Sequence, residues 1–540
     1  MEDQKPKNPQ PIKLSKYTTA LIESLRSVKA RTTPDDLSKI TVSQTVSFFA
    51  LVYEKVRNAV EYREEHQIPR AAMERIIKRR LALNPEGRGE GENLVRELLW
   101  ARYFDNGSLG NKDAETIQLI FDKYVFLRKL ILVGRDVNSR DYLNQFIIEL
   151  LTAEVEETLN PTGTQKNANY TYFIYQVLRN KVKLEGITDQ QKDAFFLAAL
   201  EKTYRRSDKA YQRYHLFNIF YKNISQLTND EIHTLAPKLP SIFEKIDQMI
   251  KNPFVDHLSR FIKKQLPPFL ILFSIFQEKF DQIQAIVSDK NRLWEEVEIT
   301  CRNKYQGLRS RLVSLAVRSF IYIFLTKMVF ALILEYPLSN YIYGEINYES
   351  IIINTLFPPF FMLLIISFFR IPGDDNTQKI YNRIIDITDA DKSFETSVAM
   401  VKKKPKEKKP FLIFGFTIFY TFTFFVTFSL IYRILTVINF NLISQIIFVF
   451  FVSVVTFFSY RIKQVLVEYT LSEKEGILTP ISDFFFMPIL SLGKFFSQEI
   501  ARLNFFIFIF DFLIEAPFKF IFEIIEEWIS FVRKRKEEIF

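Results

Sequence analysis

The pattern of apolar and polar positions changes character near Leu312. Ahead of it, apolar residues recur at three- and four-residue steps among charged ones, as in 41–62, 114–132 and 194–221, which predicts amphipathic helices with one buried face. Polar segments at 84–92, 105–113, 134–140 and 160–169 separate these stretches. Thr188 with Gln191, and Thr228 with Glu231, have the spacing of capping boxes at helix starts. No sequence repeat of fixed period occurs, so a regular solenoid is not expected.

Beyond Leu312 come four apolar runs, at 319–336, 351–369, 411–432 and 442–460. A helix needs about 20 apolar residues to cross about 30 Å of hydrocarbon, and all four approach that length. The first contains Lys327 and Glu335; the second contains Pro358-Pro359, expected to bend or break it; the third has no charge; the fourth has only Ser, Thr and Gln as polar groups. Two uncharged runs so close together are hard to bury inside a soluble core.

Lys and Arg set orientation. Arg302, Lys304, Arg309, Arg311 and Arg318 precede the first run, and nine basic residues occupy 371–410. The intervening loop 337–350 has none, the turn after the third run has Arg433 alone, and Arg461 and Lys463 follow the fourth. The alternation predicts four spans with both chain ends in the cytoplasm.

Trp294, Val297, Cys301, Tyr305, Leu308, Leu312 and Leu315 form one stripe that runs into the first span. It predicts a continuous helix from about Arg292 to Glu335, roughly 65 Å long at 1.5 Å per residue. The short apolar run 266–276, opened by Pro267-Pro268, is expected to be a buried core helix or, less simply, a membrane contact. In the tail, 477–492 is apolar but holds Pro480, Asp483 and Pro488. In 503–531, Asp511, Glu515, Lys519, Glu523 and Glu527 recur every four residues on an otherwise apolar helix. Such a tail fits an interfacial or shallow re-entrant arrangement, with Trp528 at headgroup depth; a second membrane hairpin is the rival.

The expected fold is therefore all-α. A disordered tail (1–12) leads to a cytoplasmic helical domain (13–291), then a stalk helix with the first span (292–336). Spans at 351–369, 411–432 and 442–460 follow, with a basic cytoplasmic loop at 371–410 and amphipathic or re-entrant helices at 477–540.

Composition sharpens this picture. Of 56 Phe, 38 lie in 312–540, and only 14 Gly occur in 540 residues, which favours helices over Gly-punctuated sheets. Cys301 is the single cysteine, so no intrachain disulfide forms. The opening residues are polar and lack the apolar core of a cleavable signal peptide. The net charge of +10 does not point to nucleic acid, because six lysines (Lys402, Lys403, Lys404, Lys406, Lys408 and Lys409) crowd one loop beside a span. That run reads as an orientation determinant and solvated linker, or as a contact for anionic lipid. Abundant Phe, Ile, Lys and Asn fit an AT-rich genome, and a bacterial inner membrane is the expected location.

Catalytic signatures are absent. His66, His215, His233 and His257 form no metal-binding pair at i+4, and no Walker loop, G-x-G-x-x-G or G-x-S-x-G occurs. The Gly-rich stretch 87–91 is flanked by Glu86, Glu90 and Glu92, which disfavours phosphate and suits a flexible loop. Neither an enzyme nor a cofactor is expected. Lys327 is the sharpest residue, since an ammonium at mid-span costs about 2.5–3.5 kcal/mol on insertion scales. It has three readings: a structural ion pair with Asp511 or Glu515 of the tail, snorkelling, or an ion or proton relay. Glu335, two turns away on the same helix, is expected to be out of reach. Asp511, Glu515 and Lys519 complete the intramembrane polar candidates.

Two functions follow as expectations. The first is a membrane-anchored helical scaffold that recruits protein partners through its N-terminal domain. The second is an oligomeric channel or secondary transporter using Lys327 and the 511–527 stripe.

Overall fold

The computed structural model describes residues 11–28, 38–60, 67–184, 187–344, 347–389, 399–401, 410–471, 479–502, and 524, 528, 531 and 532. The chain is all-α, and among the described residues the exceptions are two three-residue strands. It divides into two compact units, one centred on Lys16–Lys263 and the other on Lys264–Thr396 and Lys402–Leu503.

The first unit is built from α1 (Lys16–Arg26), α2 (Gln44–Val60), α3 (Ile68–Leu83), α4 (Glu90–Trp100), α5 (Asn111–Leu132), α6 (Val137–Leu159) and α7 (Pro161–Leu178). It continues through β1 (Val182–Leu184), α8 (Asp189–Thr203), α9 (Lys209–Phe220), α10 (Asn229–Leu235), α11 (Leu239–Ile250) and the start of α12 (Pro253–Glu278). Strand β1 pairs in parallel with β2 (Ala399–Val401), with Val182 opposite Ala399. Both expected capping boxes are formed: Thr188 starts α8 and Thr228 starts α10, each exchanging bonds with the residue three positions on. The core is mainly aliphatic with aromatic rings among it, and the rings of Phe146 (α6) and Phe243 (α11) stack at 3.8 Å between centroids.

The 266–276 run is buried in α12 as expected, with Phe269, Ile271, Leu272 and Phe276 at most 1% exposed. Pro267 and Pro268 stand inside this helix. Each proline removes the donor for a carbonyl four residues earlier, and those carbonyls belong to Lys263 and Lys264, both exposed residues.

The second unit holds α13 (Ile283–Val287), α14 (Lys290–Phe330), a π-helical turn (Ala331–Glu335), α15 (Tyr336–Tyr343), α16 (Tyr348–Ser367), α17 (Asp374–Thr388), α18 (Pro410–Val437), α19 (Leu442–Val467) and α20 (Thr479–Arg502). Four helical stretches are long and apolar enough to cross a membrane: Lys290–Tyr343, Tyr348–Ser367, Phe414–Val437 and Leu442–Lys463. The first is one helical rod of 54 residues, longer than the stretch to Glu335 expected from the stripe. That stripe is its buried face: Val297, Cys301, Leu308 and Leu312 are all covered, and Leu308 and Leu312 pack with Met362 and Ile366 of α16 and Val455 and Ile462 of α19.

Two sequence expectations change. Pro358-Pro359 does not break the second run, since α16 continues through both prolines. The segment expected at 477–492 extends to Arg502 as α20 and packs along the middle of α19. Phe450 and Phe496 meet at 4.8 Å, and the Tyr420 and Ser491 hydroxyls of α18 and α20 lie 2.9 Å apart. Gly493 permits this approach, because a Cβ there would stand 2.0 Å from the Ser453 carbonyl oxygen. Gly493→Ala is therefore expected to lower the stability of the detergent-solubilised chain by about 1–3 kcal/mol. Gly415→Ala, where a Cβ meets nothing, should leave the unfolding temperature unchanged or raised. Equal effects of the two substitutions in a thermal scan would contradict the close approach.

Candidate functional site

Lys327 lies in the apolar half of α14 and is 0% exposed, as is Glu335. Eight residues on a regular α-helix rotate about 80° past two full turns, which is why the pair looked out of reach. The π-helical turn Ala331–Glu335 intervenes. Its i→i+5 bonding turns the chain less per residue, so the two side chains come onto one face. Lys327 Nζ donates to Glu335 Oε2 at 3.1 Å. The partner of the buried lysine is thus Glu335, contrary to the expectation that it is too distant.

Two further helices close the cluster. Asn354 on α16 donates from Nδ2 to Glu335 Oε1 at 2.6 Å and to the Ser444 carbonyl of α19 at 3.0 Å. Lys327 Nζ also sits 4.8 Å above the Phe451 ring of α19, a favourable cation–π placement. Around the cluster, Asn441 Nδ2 donates to Ser339 Oγ at 3.1 Å, and Asn441 Oδ1 accepts from the Ser444 N–H at the start of α19. The network links α14, its π turn, α16 and α19 around one ion pair. Asn354 Oδ1 and Ser444 Oγ, both buried, have no hydrogen-bond partner among the described residues.

The other sequence candidates, Asp511, Glu515, Lys519, Lys402, Lys403, Lys404, Lys406, Lys408 and Lys409, lie outside the described residues.

The first unit contains a second polar cluster that the sequence did not reveal. Arg213 on α9, 2% exposed, binds Glu149 of α6 at 2.6 Å and Asp247 of α11 at 2.5 Å. Its guanidinium lies 4.2 Å from the Phe146 ring centre. Arg70 of α3 pairs with Glu74 and with Asp208. His215 of α9 bridges Glu157 at 2.9 Å and Glu201 of α8 at 3.0 Å. Partners such as Arg213 and Glu149 are 64 residues apart, so no local spacing marks them.

Environment splits the titration of these groups. Burial pushes the Glu156 carboxyl up to about 7 despite a bond from Tyr211, and its Oε2 has no partner. Burial also opposes ionisation of Glu74 and Glu201, but Arg70 and Lys78 hold the first, and His215 and Arg205 the second, down at about 2. His215 is raised: burial opposes its charge, and Glu201 and Glu157 outweigh that.

A raised group stabilises the fold below its unfolded value and loses that contribution as pH rises through its folded one; a lowered group does the reverse. Glu156 therefore contributes below 4.5 and is lost through about 7, and His215 contributes below 6.5 and is lost above it. Glu74 and Glu201 contribute above 4.5 and are lost toward about 2. Stability of this unit is expected to be highest near pH 4.5, where Glu74 and Glu201 contribute and Glu156 has not yet lost its share, and to fall by about 1–3 kcal/mol by pH 8. Unfolding temperature against pH measures this, and Glu156→Gln should flatten the alkaline limb. A profile that rises to pH 8 would contradict it.

Comparison with family models, curated proteins and solved structures gives no match to this chain.

Proposed function

We propose that this chain is an integral membrane protein that serves as a helical platform, holding protein partners at the cytoplasmic face of a cell membrane through its N-terminal helices. The closed state of the Lys327–Glu335 pair carries the preference for a platform over a conduit. A cation relay needs a charge that can exchange with water or a passing ion. Here the ammonium is 0% exposed, spans one carboxylate and one aromatic ring, and is tied by Asn354 to two more helices. That is the chemistry of a staple. The buried salt-bridged core of the N-terminal unit fits the same reading, because it favours a rigid recognition surface.

A second reading draws on one observation. The unpartnered Asn354 Oδ1 and Ser444 Oγ beside the pair are oxygens that an oligomeric channel or transporter would use to line a path.

Orientation is tested by single cysteines in a Cys301→Ser background. Tyr341→Cys, at a position 89% exposed beyond the first apolar stretch, should react with a membrane-impermeant maleimide in intact cells. Leu83→Cys, at a position 80% exposed, should react only after lysis. Capture from native membranes into nanodiscs then separates the functions. A stoichiometric protein partner, lost when 1–290 is deleted, supports the platform. A partner-free homo-oligomer whose ion flux vanishes in Lys327→Ala supports the conduit.

A further inference from the structure

Where α14 leaves its apolar half, one face of the helix carries Glu298, Arg302, Tyr305 and Arg309 in steps of four, three and four. This face looks onto the chain that follows α16 and onto the first turn of α17. Between them lies an open recess of about 390 Å³, lined by Arg302, Tyr305, Arg309, Phe369, Ile371 and Asp374 among others. Its floor is fixed: Asn376 Nδ2 donates to Tyr305 Oη at 2.7 Å and to the Tyr469 carbonyl at 2.8 Å, while Asn376 Oδ1 accepts from Leu471 N–H at 2.8 Å.

The recess is two-faced. Phe369 and Ile371 follow directly on the last turn of the apolar helix α16, so they mark the depth at which that helix ends. Arg309 stands ten residues ahead of the apolar run that begins at Ser319, at the same end. Charges of both signs line the other side. Arg302 is paired with Glu298 at 2.6 Å. Arg309 and Asp374, by contrast, have neither an ion pair nor a side-chain hydrogen bond among the described residues. The recess thus offers one open cation and one open anion beside an apolar rim.

We propose that this recess holds the headgroup of an amine-bearing zwitterionic phospholipid of the phosphatidylethanolamine class, an inference that rests on the membrane reading above. The phosphodiester takes Arg309, with Arg302 beside it. The primary ammonium donates to Asp374. The glycerol and the start of the acyl chains lie on Phe369 and Ile371. The unpaired carboxylate distinguishes this class from others. A trimethylammonium group has no N–H to donate and is recognised by aromatic cages. A purely anionic headgroup would face Asp374 and Glu298 as like charges. A headgroup with both a phosphate and a protonated amine matches both open groups, and charge-assisted hydrogen bonds of this kind are the strong ones.

The test is native mass spectrometry of the full-length chain, released from detergent after titration with phosphatidylethanolamine, phosphatidylcholine and phosphatidylglycerol of identical acyl chains. The parent chain should retain the ethanolamine lipid about tenfold better than the choline lipid. Asp374→Asn should abolish that preference without weakening phosphatidylglycerol. Arg309→Ala should weaken retention of all three lipids. Arg311→Ala, two residues on and on another face of α14, should change nothing, and matched unfolding temperatures certify each variant as folded. Equal retention of the three lipids by the parent, or a preference for phosphatidylglycerol, would overturn the headgroup assignment while leaving the membrane reading intact. A chain that stays in solution without detergent after alkaline extraction would overturn the membrane reading itself, and this assignment with it.

Discussion

Replacing Arg213 with alanine is expected to unfold the N-terminal unit under conditions where the parent chain is stable. The guanidinium neutralises Glu149 and Asp247 at once, at 2.6 and 2.5 Å, and it covers the Phe146 ring. Removing it leaves two carboxylates facing a shared cavity, Glu149 8% and Asp247 9% exposed, with only the Gln145 amide on the first and the more exposed Lys209, 3.3 Å away, beside the second among the charged and amide groups described. Removing one partner of a buried pair costs about 3–5 kcal/mol, a large share of the roughly 5–15 kcal/mol that holds a typical domain together. Denaturant unfolding followed by the fluorescence of Trp100, buried in α4, reads this directly. Arg96→Ala supplies the contrast: its pair with Glu92 is 39% and 54% exposed, and surface pairs of that kind contribute about 0–1 kcal/mol. If the two variants shift the midpoint equally, the ionic core does not govern the stability of this unit. An apolar triple replacement of Arg213, Glu149 and Asp247 should regain most of the loss, because the penalty lies in orphaned charge rather than in a missing attraction.

The four long apolar helices were legible because their signal is local: some twenty consecutive residues that are almost all apolar are enough. The caps of α8 and α10 were legible for the same reason, as was the stripe from Val297 to Leu312, since each depends on spacing within a few turns. The failures share an opposite cause. Reading Glu335 as out of reach of Lys327 assumed 3.6 residues per turn, and a π turn of five residues breaks that assumption. No composition signal marks such a turn in Ala331–Glu335. Pro358-Pro359 read as a bend or a break because proline removes helix donors. Yet α16 continues, with Asn354, four residues before Pro358, bound through its side chain to two neighbours. The length of α20 was underread because Pro488 stands inside it, while Gly493, the residue that seats it on α19, has no periodic signature. The ionic core around Arg213 joins helices that only folding brings together, so no spacing along the sequence marks it.

The Lys327 staple gives the sharpest test of what the apolar half is built for. Lys327→Met leaves the Glu335 carboxylate buried with Asn354 as its one remaining side-chain donor among the described residues, and the expected loss is about 3–5 kcal/mol. Glu335→Gln leaves the ammonium over Phe451 without a counter-charge and should cost a similar amount. The double variant removes both charges, and its glutamine can still meet the Asn354 amide, so it should be more stable than either single variant. A coupling energy of about 2 kcal/mol or more in unfolding of the bicelle-embedded chain is the expected outcome. Additive losses would mean that the two groups do not act as a pair and would dismiss the staple. Function then divides along the same cycle. A platform needs only the shape of the bundle, so the double variant should capture partners as the parent does. A conduit needs the charges themselves, so the double variant would fold and yet carry no flux. Stability restored by methionine and glutamine, with partner capture intact, is the result that a structural pair requires and a relay does not permit.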